Sequence, residues 1–218
     1  MGQYYMPTLI AKDGTISTLY PLEYDNGLKL MEHSYIGNNF VNAVCTQIWK
    51  NPMKVAWIGD YSNIPWEGTY TKHISRDDFE KICYEVWRNE QGPLCIHPKP
   101  HGYLTMKKRR GYLINHTTKE YVDLESYIEK NKWHEKSEYR RRRDGRVVNE
   151  PYEYDKCIHP LPLLTACGNG RGGGDYYDRF SNYENVGSWA FCEIELTGIK
   201  PKGYDLAEYY FSEQRKVE

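Results

Sequence analysis

The sequence predicts a single-domain α+β fold, a largely antiparallel sheet with two or three helices beside it. Three observations carry this: runs of β-forming residues separated by turn residues, one strongly amphipathic helix closed by Gly-Pro, and large aromatics standing in for aliphatics. Only 39% of the 218 residues are hydrophobic, below the usual globular share, yet 21 are Tyr and 6 are Trp. These side chains bury wide areas and keep a polar handle, which suits a sheet with wet edges and opposes global disorder. The length gives one substantial core and is marginal for two, so residues 1–218 read as one domain.

From the N-terminus, Gln3 to Ile10 reads as a strand, Lys12-Asp13-Gly14-Thr15 as a turn and Ile16 to Tyr20 as its return, a hairpin. Asp25-Asn26-Gly27 turns the chain again, and Leu28, Leu30 and Met31 open a short apolar element ending near His33. Asn38-Asn39 caps a helix from Phe40 to Lys50, which Asn51-Pro52 stops. Lys54 to Ile58 is a short apolar strand. The clearest helix runs from Arg76 to Asn89, with Ser75 as N-cap, Asp77 and Asp78 in the first turn, and Phe79, Ile82, Cys83, Val86 and Trp87 on one face.

Gly102 to Lys107, Gly111 to Asn115 and Glu120 to Leu124 follow as β segments, then a short helix from Leu124 to Asn131. Composition shifts at 132–150 to a charged insertion or long hairpin loop. Pro160 and Pro162 mark Lys156 to Cys167 as an edge strand or extended segment. Val186 to Leu196 alternates as a strand, and Asp205 to Gln214 reads as a short helix.

The net charge of −1 argues against a whole surface gripping nucleic acid. No apolar run approaches the roughly 20 residues of a membrane span, and Met1 to Met6 lacks the pattern of a signal peptide. Six scattered cysteines then fit reduced, mostly buried thiols, and a cytoplasmic location is expected.

Four constellations could carry chemistry. The run Gly168-Asn169-Gly170-Arg171-Gly172-Gly173-Gly174-Asp175 lets the backbone approach a ligand closely, with Arg171 to hold phosphate or carboxylate. It lacks the Lys-Ser/Thr ending of a P-loop and the helix-opening context of a dinucleotide fingerprint, so a plain surface loop is the competing reading. Cys95-Ile96-His97-Pro98 recurs as Cys157-Ile158-His159-Pro160. In extended chain, residues i and i+2 share a side, so Cys95, His97, Cys157 and His159 together could hold zinc, against coincidence in two proline-rich segments. No other cofactor is expected. His33, Asp60, His116 and His159 are candidates for acid–base work, with no spacing that links them. In the insertion, Arg140, Arg141, Arg142, Arg143 and Arg146 interleave with Trp133 and Tyr139, which suits phosphate contacts, docking on an acidic protein, or a solvated loop.

The stretches Met1-Gly2-Gln3-Tyr4-Tyr5, Asn26 to Asn38, Gly59-Asp60-Tyr61, Asn115 to Lys119 and His159 to Thr165 with Gly168 to Tyr176 resemble a group of uncharacterised proteins carried by bacteriophages and prophages. The resemblance spans most of the chain apart from the arginine insertion. It implies a phage accessory protein in the bacterial cytoplasm and brings no functional residues with it. The function expected is a binder that inhibits a host defence system, such as a nucleic-acid-guided nuclease, partnered by a host protein or protein–nucleic-acid complex and not by a membrane. The alternative is a nucleotide- or phosphate-binding enzyme or sponge built on the glycine run.

Overall fold

The hairpin at the N-terminus, β1 (Tyr5–Ile10) and β2 (Ile16–Thr18), pairs antiparallel with Thr8 opposite Thr18. Its turn closes as the residue types require: Gly14 takes φ +85°, and Thr15 N–H donates to Asp13 Oδ1 at 2.9 Å. A computed structural model of the chain describes residues 3–62, 72–88, 92–100, 106, 110–137, 140–141, 147–149, 152–168, 176 and 183–211.

After the hairpin come the short helix α1 (Leu30–His33) and α2 (Asn39–Gln47). Asn38 caps α2, its Oδ1 accepting from Phe40 N–H at 2.9 Å and Val41 N–H at 3.3 Å. β3 (Met53–Gly59) follows, then α3 (Arg76–Trp87), capped by Ser75 as its sequence predicts. β4 (Leu94–Cys95), β5 (Tyr112–Asn115) and β6 (Glu120–Asp123) lead to α4 (Leu124–Asn131), where Asp123 is the cap. Of the strand expected at Gly102 to Lys107, only Met106 lies within the described residues.

Among the described residues of the charged insertion, two antiparallel ladders form. β7 (Trp133–Ser137) pairs with β10 (Tyr152–Lys156) over five positions, and β8 (Arg140–Arg141) pairs with β9 (Val147–Asn149) further along it. Beyond it stand α5 (Pro160–Leu164), β11 (Ala166–Cys167), β12 (Glu193–Thr197) and β13 (Asp205–Leu206).

The main sheet has the order β13-β6-β5-β12-β3-β1-β2-β4. It is mostly antiparallel, with parallel pairings of β13 with β6, β4 with β2 and β11 with β3. One edge of β3 is shared: its first half meets β12, its second half β11. Alternation along β3 sorts the core. Val55 and Trp57 join the apolar cluster beside α2, α4 and α5, while Ala56 and Ile58 join the cluster under α3 with Phe79, Ile82, Cys83 and Val86. A single-domain α+β fold is the result, with three helices of eight residues or more among the described residues.

Three segments depart from the sequence reading. Pro160 to Leu164 is helical rather than extended, because Pro160 sits in the first turn, where no N–H is needed and its φ fits the helix. The strand expected from Val186 starts only at Glu193. Before it the chain turns tightly, with Gly187 at φ +79° and Phe191 at φ +61°, and these turns bury Trp189 and Phe191. The helix expected at Asp205 to Gln214 is an edge strand and extended chain through Phe211. Asn131 holds it there, its Oδ1 accepting from Phe211 N–H at 2.9 Å and its amide donating to Tyr209 C=O at 3.1 Å. Those tertiary bonds occupy backbone groups that a helix would have paired internally.

Candidate functional site

His33 is at the end of α1, fully buried, with its ring edge-on to Phe40 at 4.9 Å. An indole N–H can only donate, so Trp57 Nε1, 3.1 Å away, makes His33 Nε2 the acceptor. Nδ1–H is then the donor to Gly27 C=O at 3.0 Å. Burial holds the imidazole neutral, with its pKa lowered to about 4. Both nitrogens are engaged in holding the loop at Gly27 to the centre of the sheet.

His159 is equally buried and caps α5, its Nδ1 accepting from Leu161 N–H at 3.1 Å. The ring proton therefore sits on Nε2, 3.6 Å from Cys45 Sγ. A thiol beside an imidazole has the composition of a nucleophilic pair, but the electrostatics run the other way. Desolvation lowers His159 to about 3 and raises Cys45 to about 12, so both stay neutral. His33 and His159 lie on neighbouring segments, tied by His159 N–H to Ser34 C=O and Ile36 N–H to Cys157 C=O. The structure thus places two of the four acid–base candidates, His33 and His159, in the core, as fold-holding groups.

Asp60 is different. It follows β3, accepts from Tyr4 N–H through Oδ1 at 3.1 Å, and partial burial raises its carboxyl above the usual range. It lines a cleft of about 320 Å³ with Gly59, Glu80, Cys83, Tyr84, Trp87 and Arg88. Trp87 Nε1–H donates to Ile58 C=O at 3.2 Å, which pins α3 to the end of β3. Because Cys167 pairs with Ile58 in parallel, Gly168 emerges beside Gly59 at this same end. A Cβ on either glycine would run into the buried Gln3 side chain, and one on Gly168 into Tyr5 Oη as well. Asp60 and the first residue of the glycine run are thereby brought together. Asn169, Gly170, Arg171, Gly172, Gly173, Gly174 and Asp175 lie outside the described residues. The helical wall of the cleft was not read from the sequence, though Glu80, Tyr84 and Arg88 form an i, i+4, i+8 row beside the apolar stripe.

His116 forms the imidazole–carboxylate pair that the sequence left unassigned. Its Nε2 lies 2.8 Å from Glu195 Oε2 and its Nδ1 2.9 Å from Tyr204 Oη. Glu195 sits on β12, far along the chain from His116, so spacing held no signal for it.

The repeated Cys-Ile-His-Pro copies are not a four-ligand set. Cys157 and His159 are buried, whereas Cys95 and His97 are exposed and cluster with Glu23, their ligand atoms all within 4.8 Å of one another. Extended geometry does put Cys95 and His97 on one side, but the third group comes from the segment before α1.

Arg140 and Arg141 lie on β8, while Arg142, Arg143 and Arg146 lie outside the described residues. The arm that carries them is fixed at its base. Lys156 Nζ stands 4.1 Å from the Tyr35 ring centroid and 3.1 Å from Glu135, and Trp133 packs edge-on to Tyr35 at 6.4 Å. On its side, His134 lies between Glu153 at 3.0 Å and Asp155 at 3.2 Å, carboxylates that hold its pKa up.

Compared with known proteins, the chain matches no family model, no curated protein and no solved structure. Among the described residues, no helix is long and apolar enough to cross a membrane.

Proposed function

We propose that the protein is a phage accessory binder that acts in the bacterial cytoplasm. Its arginine-bearing hairpin docks on a host protein–nucleic-acid complex, such as a guide-loaded nuclease, and inhibits it. The observation that supports this most is the arm itself. The sequence carries seven basic residues against three acidic ones between Lys132 and Arg146, and strand pairing frames this segment, β7 with β10 and β8 with β9. The β7–β10 ladder runs over five residues, roughly 17 Å of strand, a reach suited to a groove or a phosphate backbone. Polyanion binding of this kind weakens steeply with salt.

Target cleavage by a reconstituted guide-RNA-loaded nuclease is expected to fall when the chain is added and to recover when Arg140, Arg141, Arg142 and Arg143 are all changed to Glu. Unchanged cleavage, together with no salt-dependent retention of the wild-type chain on immobilised nucleic acid, would refute the reading.

A second reading rests on the cleft. Gly168 opens the glycine run beside Asp60, where Arg88, Tyr84 and Trp87 offer a guanidinium and two aromatic faces. A nucleotide held there would use Arg171 for its phosphates, since Asp60 and Glu80 oppose an anion. A thermal-shift screen of nucleotides tests it: a response lost in Arg171→Ala supports the site, and no response from any nucleotide removes it.

A further inference from the structure

We propose that Glu23, Cys95 and His97 form a surface binding site for a borderline-soft divalent cation, zinc foremost. The three donors are one carboxylate oxygen, one sulfur and one imidazole nitrogen, within 4.8 Å of one another. Around tetrahedral zinc, bonds of about 2.0–2.3 Å put ligand atoms roughly 3.3–3.8 Å apart. His97 Nδ1 is already paired with Glu23 Oε2, so an ion seated between them parts that pair and draws Cys95 in, a movement within rotamer freedom for exposed groups.

The backbone presents the ligands on two cross-tied segments. Cys95 lies on β4, in register with Thr18 of β2, and Ile96 N–H donates to Thr18 C=O at 2.9 Å. That extended run points Cys95 and His97 to one side. Glu23 belongs to the single-turn helix Pro21–Tyr24, whose last residue closes the gap: Tyr24 Oη donates to Pro98 C=O at 3.0 Å. The clamp and the ligands alternate, Glu23 beside Tyr24 and His97 beside Pro98.

A thiolate and a carboxylate together neutralise a dication. Sulfur and imidazole select zinc over magnesium or calcium. With three protein ligands at an exposed position, a fourth site stays open to water or to a ligand from a partner.

Cysteine identity makes the site testable, since the other five thiols are buried. Titration of the untagged, reduced chain with Co²⁺ is expected to give one equivalent bound, with a near-ultraviolet sulfur-to-cobalt band that Zn²⁺ displaces. Cys95→Ser should abolish the band, and Glu23→Gln or His97→Ala should weaken Co²⁺ binding. All three substitutions are at exposed positions, so circular dichroism should show the fold intact. No cobalt–sulfur band, or a band that survives Cys95→Ser, would overturn the assignment. Neither outcome bears on the arginine arm, which lies elsewhere in the chain.

Discussion

Acidification should unfold this protein through two imidazoles that the fold keeps neutral. His33 and His159 have pKa values lowered by burial to about 4 and about 3, against an ordinary 6.5 in the unfolded chain. Between those limits the unfolded chain binds more protons than the folded one, so stability is complete above 6.5 and is lost as pH falls toward 4 and below. At pH ~5 each unfolded imidazole is mostly protonated and each folded one is not, which costs about 2 kcal/mol apiece and about 4 kcal/mol together. Against a total stability of roughly 5–15 kcal/mol that is a large fraction. For a chain of this size it corresponds to a Tm lowered by about 8–16 °C between pH ~7 and pH ~5. The assay is thermal unfolding followed by circular dichroism at both pH values, in wild type and two variants. His159→Asn keeps a cap acceptor for Leu161 N–H, and His33→Gln keeps an acceptor for Trp57 Nε1–H, while neither titrates. Each variant should lose about half of the pH-dependent drop. If both variants show the wild-type drop in full, the reasoning fails. Imidazole titration by NMR gives a second check, since a folded-state midpoint near 6 for either ring contradicts the neutral-core account.

Thiol labelling under native conditions should modify one cysteine of six quickly, because Cys95 alone among them is exposed; Cys95→Ser should remove that fast phase. Gly168→Ala should destabilise by about 1–3 kcal/mol in urea unfolding, as its methyl must displace Tyr5 and Gln3 in a packed interior. Asn38→Ala should cost about 1–2 kcal/mol, with Asn38→Ser recovering most of it, since the loss is that of the cap on α2.

Much of the fold was legible in the sequence because its signals are local. The Gly14 turn, the Asn38 and Ser75 caps and the period of α3 each depend on neighbours within a few residues, and each forms as read. Two of the three misread segments share a cause as well. Asp205 to Phe211 is drawn out of helix by Asn131, and Phe191 reaches the core through a tight turn at φ +61°, both decided by partners distant in sequence.

The candidate sites divide the same way. Sequence alone identified the residue types able to do chemistry: the glycine run, the arginine insertion, the Cys-Ile-His-Pro copies, Asp60 and the histidines. It could not say which of them would face water. Burial is a property of the packed layers, and the layers put His33 and His159 under the sheet beside Trp57 and Cys45. The parallel step of β11 against β3 set Gly168 beside Gly59 and Asp60. The pairing of β4 with β2 brought Cys95 and His97 to Glu23, across a separation that carries no periodic signal. Side-chain chemistry is written along the chain, but reactivity depends on solvation and on neighbours, and those exist only once the chain has folded.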